Sequence, residues 1–182
     1  MLIPGGFGFL GGRLARFHDA DGRYEIVLGS TRHAEPPAWL PTAAVVRTTW
    51  DSAPALDQIC QGVDAIVQAA GMNAQDSAAD PVQALELNAV ATGRLLRAAI
   101  RQGVRRFMYV SSAHVYGSPL RGEITEQTCP LSLHPYATSH RAGEDFVRTA
   151  HGRGDIDGIV IRLSNSFGAP MHRDVNCWML LV

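Results

Sequence analysis

The sequence contains no lysine, few cysteines and no long apolar run. All 16 basic side chains are arginine. The three cysteines, Cys60, Cys129 and Cys177, are odd in number and far apart, which argues against a disulfide framework or a zinc cluster and favours a reducing compartment such as the cytoplasm. No run approaches the roughly 20 apolar residues of a membrane span. Because the formal charge is only −1, neither nucleic acid nor a membrane surface is an expected partner.

Short apolar segments alternate with segments that carry helical signals. The apolar segments lie at residues 2–3, 24–28, 43–46, 65–70, 107–110 and 159–161, and the helical ones at 9–18, 52–61, 80–102 and 135–150. Apolar runs without polar alternation are typical of strands buried on both faces. We therefore predict an α/β fold, a doubly wound parallel sheet with helices on both faces, in one domain over residues 1–182.

A glycine-rich turn follows the first predicted strand. The chain begins MLIPGGFGFLGGRLAR, in which Gly5, Gly8 and Gly11 are spaced GxxGxxG. Such glycines permit a tight turn and let a pyrophosphate approach backbone N–H groups at the positive end of a helix. Because the turn opens a βαβ pattern, it favours a dinucleotide-binding Rossmann domain over an ordinary glycine-rich turn, with Phe9 and Leu10 also at the cofactor.

The end of the second predicted strand indicates which dinucleotide is bound. An acidic residue about 20 residues after the glycine turn usually holds the ribose hydroxyls of NAD, but residues 28–32 read LGSTR and contain none. Small side chains leave room for a 2′-phosphate, and Arg32 is suited to bind it. NADP is therefore favoured over NAD, the alternative being that Arg32 is a solvated loop charge.

Two later segments resemble a known family. Residues 107–117 read FMYVSSAHVYG and residues 134–144 read HPYATSHRAGE. With the GGxGFLG turn, they resemble the extended short-chain dehydrogenase/reductase superfamily, the NAD-dependent epimerase/dehydratase family, whose members carry SSAxVYG and PYxxSKxxxE. The resemblance implies hydride transfer between nicotinamide and a nucleotide sugar or similar hydroxyl/carbonyl substrate. It assigns Ser112 to substrate orientation and Tyr136 to proton transfer; a serine that merely satisfies backbone groups at the strand end is expected at Ser111 instead.

His140 stands where the family motif has lysine. Four residues separate it from Tyr136, so both lie on one helix face. Lowering a phenol pKa from about 10 to about 7 requires roughly 4 kcal/mol, which the family obtains from oxidised nicotinamide and its lysine. An imidazole of ordinary pKa would be only about one-quarter protonated at pH 7, so we expect weaker activation of Tyr136, with water or Arg141 filling part of the role. The alternative is a helix-surface histidine in an inactive descendant.

The resemblance also implies further cofactor contacts. Ala69, Ala70 and Gly71 match the turn beneath the nicotinamide ribose. Asp51 lies where family members contact the adenine, although it is equally suited to cap a helix that starts at Ser52.

Three polar residues match positions near the substrate. Asn88 takes the place of an asparagine that helps bind a proton-relay water; otherwise it is a buried polar residue that satisfies the helix backbone. His114 is a candidate substrate contact, as is Asn165 in the segment RLSNSFGAP, whose alternative interpretation is turn chemistry.

Members of this family continue well beyond the point that matches Val182. Their C-terminal part grips the nucleotide of the substrate, so we expect residues 1–182 to lack it, and residues 177–182 resemble an interrupted helix. The expected partner is a small-molecule substrate, with a homodimer left open. The rival hypothesis is a non-catalytic dinucleotide-binding module that senses redox state.

Overall fold

The computed structural model describes residues 1–32 and 35–171, and six parallel strands form one sheet within them. The strands are β1 Leu2–Pro4, β2 Val27–Ser30, β3 Ala44–Arg47, β4 Ala65–Gln68, β5 Arg106–Ser112 and β6 Asp157–Leu163. Their order is β3-β2-β1-β4-β5-β6, and every neighbouring pair is parallel. This order is that of the doubly wound Rossmann sheet, which confirms the predicted fold. The predicted helix at residues 177–182 lies outside the described residues.

The connections between strands are mostly helical. The helices are α1 Phe9–Asp21, α2 Ala53–Cys60, α3 Ala74–Ala79, α4 Pro81–Leu85, α5 Ala91–Arg101 and α6 Pro135–Gly152, with a π-helical turn at Glu86–Val90 and a 3₁₀ turn at Ala113–Val115. As the sequence predicts, Asp80 caps α4 by accepting the Gln83 N–H at 2.9 Å, with Pro81 in the first helical position. The prediction missed α3 and the π turn.

Apolar side chains from the strands fill a core on each face of the sheet. Leu2 and Ile66 pack on one face with Leu95 of α5, whereas Ile3 and Val67 pack on the other. Successive strand residues point to opposite faces, so both must be apolar where helices cover both sides. This double burial explains why the strand segments show no polar alternation.

Candidate functional site

The carboxyl ends of β1, β4 and β5 meet at one edge of the sheet. Beyond β1 lies the glycine turn, beyond β4 the turn through Gly71, and beyond β5 the 3₁₀ turn. The turns after β1 and β4 touch, because the Ala69 N–H donates to Pro4 O at 3.1 Å. The strand order reverses between β1 and β4, and such a reversal opens the crevice in which doubly wound sheets bind ligands.

Glycine is required twice in the first turn for different reasons. Gly5 has φ +77°, and a Cβ there would lie 2.7 Å from Ala70 N. A Cβ on Gly11 would lie 2.2 Å from Gly5 O, so α1 could not pack on the turn. Gly8, by contrast, is exposed and is the N-cap of α1. Phe9 and Leu10 supply the first N–H groups of that helix. An open helix start behind a tight turn fits a pyrophosphate.

The ends of β2 and β3 carry arginine. Arg32 is exposed two residues after β2, and its N–H donates to Ser30 Oγ at 3.1 Å. Arg47 pairs in register with Ser30 and is also exposed, so two cations lie near this corner. Sequence reasoning missed Arg47 because strand pairing was needed to bring it there.

Asp51 is exposed in the connection between β3 and α2. The alternative that it caps α2 is wrong. Ser52 is the N-cap, and its Oγ accepts the Ala55 N–H at 3.4 Å.

Asn88 connects the turn after β4 to α6. Its side chain is fully buried; Oδ1 accepts the Met72 N–H at 2.8 Å, and Nδ2 donates to Ser139 Oγ at 3.0 Å. A Cβ on Gly71 would lie 2.9 Å from Asn88 Oδ1, so this glycine permits the close approach. The alternative interpretation, in which Asn88 satisfies its own helix backbone, is therefore wrong. The side chain instead joins the turn after β4 to α6.

The two serines at the end of β5 have different hydrogen-bond partners. Ser111 Oγ donates to Glu144 Oε1 at 2.5 Å, whereas Ser112 Oγ accepts the His114 N–H at 3.2 Å. The expectation that Ser111 satisfies the strand-end backbone is therefore wrong. Ser112 also hydrogen-bonds Tyr136.

Tyr136 and His140 share one face of α6, as their spacing predicts. Their ring centroids are 4.5 Å apart in an edge-on arrangement. Burial raises the pKa of Tyr136 above its ordinary value, and the hydrogen bond with Ser112 only partly opposes this effect. The phenol therefore keeps its proton at neutral pH in the protein alone.

His140 is buried, not on the helix surface. Its Nδ1 lies 2.9 Å from Tyr109 Oη on β5, and its Nε2 is buried without a hydrogen-bond partner among the described residues. Burial lowers the pKa of His140 to about 4, and the negative charge of Glu144, which acts to raise this pKa, is the smaller effect. The expectation of partial protonation at pH 7 is thus wrong: the ring is neutral.

Three other residues that the sequence singled out are exposed. His114 is exposed in the 3₁₀ turn, and Asn165 is exposed just after β6, where its Oδ1 accepts the Ser166 N–H at 3.1 Å. Arg141 is exposed and donates to Pro130 O at 3.0 Å, so it does not replace the missing lysine.

A buried ion pair beside the site escaped sequence reasoning. Arg162 on β6 contacts both carboxylate oxygens of Glu144, with Nη2 2.6 Å from Oε2, and its Nη1 donates to Tyr116 Oη at 2.6 Å. The Glu144 hydrogen bonds raise the pKa of Arg162. The one sequence signal for this pair was Glu144, which matches the glutamate of the family motif at residues 134–144.

Residues 1–32 and 35–171 hold neither a membrane-spanning helix nor a cluster of metal ligands. No helix there is long and apolar enough to cross a membrane. No three His, Cys, Asp or Glu side chains there come close enough together to hold a metal ion.

Comparison with known proteins agrees with this geometry. The model of the NAD dependent epimerase/dehydratase family matches residues 1–179. This chain belongs to that family. It is 29% identical over 181 residues to dTDP-glucose 4,6-dehydratase of Streptomyces niveus and 27% identical over 175 residues to UDP-glucose 4-epimerase of Azospirillum brasilense. These matches cover 92% and 93% of this chain.

A solved structure shows the same fold at similar identity. The dTDP-glucose 4,6-dehydratase DesIV of Streptomyces venezuelae, in a double mutant with NAD and DAU bound, has a TM-score of 0.84 and 29% identity over 94% of this chain. The match covers 57% of that structure, and the two curated relatives are covered to 54% and 49%. The chain thus spans about half the length of its relatives.

Proposed function

We propose that this chain binds a nicotinamide dinucleotide and supplies the proton-transfer site of an enzyme that moves hydride to or from a nucleotide sugar or a similar hydroxyl/carbonyl compound. One observation carries the proposal. The glycine turn, the Gly71 turn, Ser112 and Tyr136 all lie at the carboxyl edge of the sheet, around the reversal of strand order. The family membership and the NAD-bound solved relative support it.

Each part of this edge fits a portion of the dinucleotide. Gly5, Gly8 and Gly11 leave the start of α1 open, where Phe9 and Leu10 would offer N–H groups to the pyrophosphate. Ala69, Ala70 and Gly71 would lie beneath the nicotinamide ribose, and Asp51 would reach the adenine. When bound, the nicotinamide accepts or returns a hydride.

The residues of the chain would manage the proton. Ser112 would hold the substrate oxygen while the Tyr136 phenol donates its proton to that oxygen or takes one from it. Because the phenol is protonated in the protein alone, proton donation needs no prior step, whereas acceptance requires a positive charge nearby. Asn88 would place the turn after β4 against α6, and His114 and Asn165 would contact substrate.

The choice between NAD and NADP is a separate proposal. We infer a preference for NADP, since Arg32 and Arg47 flank the end of β2 and residues 28–31 hold no acid. The solved relative carries NAD, so NAD remains the comparison ligand in every test.

Single-turnover hydride transfer tests the enzymatic half of the proposal. The chain is mixed with NAD⁺ or NADP⁺ and with dTDP-glucose or UDP-glucose, and the reduced nicotinamide is followed by absorbance. Tyr136→Phe should remove the signal while keeping cofactor binding; Tyr24→Phe, which deletes a hydroxyl before β2 at the other end of the sheet, should not. Cofactor binding with no reduction by the unmutated chain would favour the redox-sensing module instead.

A further inference from the structure

The ring of His140 is held between two tyrosines. Tyr109 contacts its Nδ1 at 2.9 Å, and Tyr136 packs edge-on against the ring. The other ring nitrogen, Nε2, is buried and lacks a hydrogen-bond partner among the described residues. A buried polar atom without a partner is costly, so it points to a ligand atom that completes the bond.

The hydrogen bonds of Tyr109 decide where the histidine proton lies. Tyr109 Oη is 2.9 Å from the carbonyl oxygen of Asn88, which can only accept. The Asn88 carbonyl accepts from Tyr109 Oη and also from Thr92 Oγ1 at 2.9 Å, and with its one proton directed to Asn88, Tyr109 Oη accepts from His140. Nδ1 of His140 is then the protonated nitrogen.

The surroundings of the ring keep it neutral. Its polar neighbours are Tyr109 on β5, Tyr136 and Glu144 on α6, and Asn88 on the π turn. The charge of Glu144 is neutralised by Arg162, and Ser111 donates to the same carboxylate. In a neutral ring with a protonated Nδ1, the lone pair is on Nε2.

We propose that Tyr109 is a positioning residue that fixes the His140 tautomer, so that Nε2 accepts a hydrogen bond from a ribose hydroxyl of the bound dinucleotide. The ring edge faces the turn expected beneath that ribose: a Cβ on Gly71 would lie 3.8 Å from His140 Cε1. The inference rests on the proposed function for its ligand but not for the tautomer. A lysine at this position would offer hydrogen-bond donors and a positive charge. The neutral His140 ring instead offers an acceptor at Nε2 and no charge.

Nitrogen NMR of histidine-labelled protein reads the tautomer directly, because protonated and unprotonated ring nitrogens differ in shift. For the unmutated chain at pH 7, we expect a protonated Nδ1 and an unprotonated Nε2 at His140. Addition of NAD⁺ should shift the Nε2 signal as it accepts a hydrogen bond. A protonated Nε2, or a charged ring, overturns the proposal without any variant.

Two matched hydroxyl deletions test the role of Tyr109. Tyr109→Phe should abolish the Nδ1 preference and lower NAD⁺ affinity by about 2- to 10-fold, the range of one hydrogen bond. Tyr24→Phe should change neither. A merely structural role for Tyr109 would lower stability and leave the tautomer unchanged, which would overturn the assignment.

The two proposals fail in different ways. The expected tautomer in a chain that binds neither NAD⁺ nor NADP⁺ would keep the role of Tyr109 and overturn the proposed function together with the ribose contact. NAD⁺ binding by a chain whose His140 carries its proton on Nε2 would keep the proposed function and overturn this inference.

Discussion

His140 changes the electrostatics of the candidate site because it brings no charge to Tyr136. A lysine one helical turn away would favour the phenolate, whereas a neutral imidazole leaves burial to raise the pKa of Tyr136. We therefore expect Tyr136 to act as a proton donor until a cation binds beside it. The oxidised nicotinamide would be that cation.

The neutrality of His140 predicts a pH dependence of stability. Its pKa is about 4 in the folded protein and about 6.5 unfolded, so the unfolded state binds the proton first as pH falls. The free energy of unfolding should decrease by up to about 1.4 kcal/mol per pH unit between pH 6.5 and 4 through this residue alone. Urea unfolding of the unmutated chain and of His140→Gln at several pH values measures it.

The control for this pH effect is His114→Gln, which removes an exposed imidazole. The difference in unfolding free energy between the unmutated chain and His140→Gln should depend on pH, and the difference for His114→Gln should depend on it much less. Equal slopes in the two comparisons would contradict a buried, neutral His140.

Arg32 carries the expected preference for NADP. Arg32→Ala should weaken NADPH binding by about 1.5–3 kcal/mol, the range of a hydrogen bond to a charged group, and leave NADH binding nearly unchanged. Calorimetric titration with both cofactors measures the change, with Arg97→Ala on the exposed side of α5 as the control. Equal affinities of the unmutated chain for NADPH and NADH would contradict the assignment.

Some side-chain relations at the site follow from the sequence and others do not. The shared face of Tyr136 and His140 follows from their spacing, because a helix brings residues four apart together. The contact between His140 and Tyr109 could not be predicted, because the partner lies on a strand 31 residues away. Burial of the ring, and hence its charge, depends on that tertiary contact.

Among the elements, α6 is fixed to β6 by the ion pair of Glu144 and Arg162. The Glu144 side chain is fully buried and that of Arg162 is 14% exposed, so loss of the arginine would leave an uncompensated buried charge. Arg162→Leu should lower the free energy of unfolding by about 3–5 kcal/mol at pH 7. Urea unfolding followed by circular dichroism measures it.

A second arginine on the sheet provides the matched control. Arg106 on β5 pairs with Asp157, but both side chains are about half exposed, and such pairs contribute about 0–1 kcal/mol. Arg106→Leu should therefore have a much smaller effect. Similar losses in the two variants would show that the Glu144 pair does not hold α6 in place.

The start of α4 could be predicted and the interruption of the following helix could not. Asp80 and Pro81 form a local capping signal that any helix start would use. The π turn at Glu86–Val90 has no such signal in its sequence. It lies where Asn88 bridges the β4 turn and α6, so long-range hydrogen bonds accompany the irregular turn.

At the scale of the whole molecule, strand order places the candidate site. Buried parallel strands and their number could be predicted from the apolar runs, and the glycine turn marked the edge that we propose as the dinucleotide site. The position of Arg47 beside Ser30 required the strand pairing itself.

Gly8 allows the proposed dinucleotide site at the start of α1 to be tested without disrupting the fold. Gly8 has φ −76° and ψ 174°, a conformation open to any residue, and aspartate is a preferred N-cap. A Cβ there would lie 3.1 Å from Gly5 O, a tight contact that needs only a small shift. The carboxylate that Gly8→Asp introduces would occupy the expected pyrophosphate position and repel the negatively charged pyrophosphate.

The most direct measurement is calorimetric titration of the unmutated chain and Gly8→Asp with NAD⁺ and NADP⁺, paired with thermal unfolding of each protein. We predict that the unmutated chain binds at least one of them, and that Gly8→Asp loses more than about tenfold in affinity while its unfolding temperature is unchanged or higher. No binding by the unmutated chain, or full affinity in Gly8→Asp, would contradict a dinucleotide site at the start of α1.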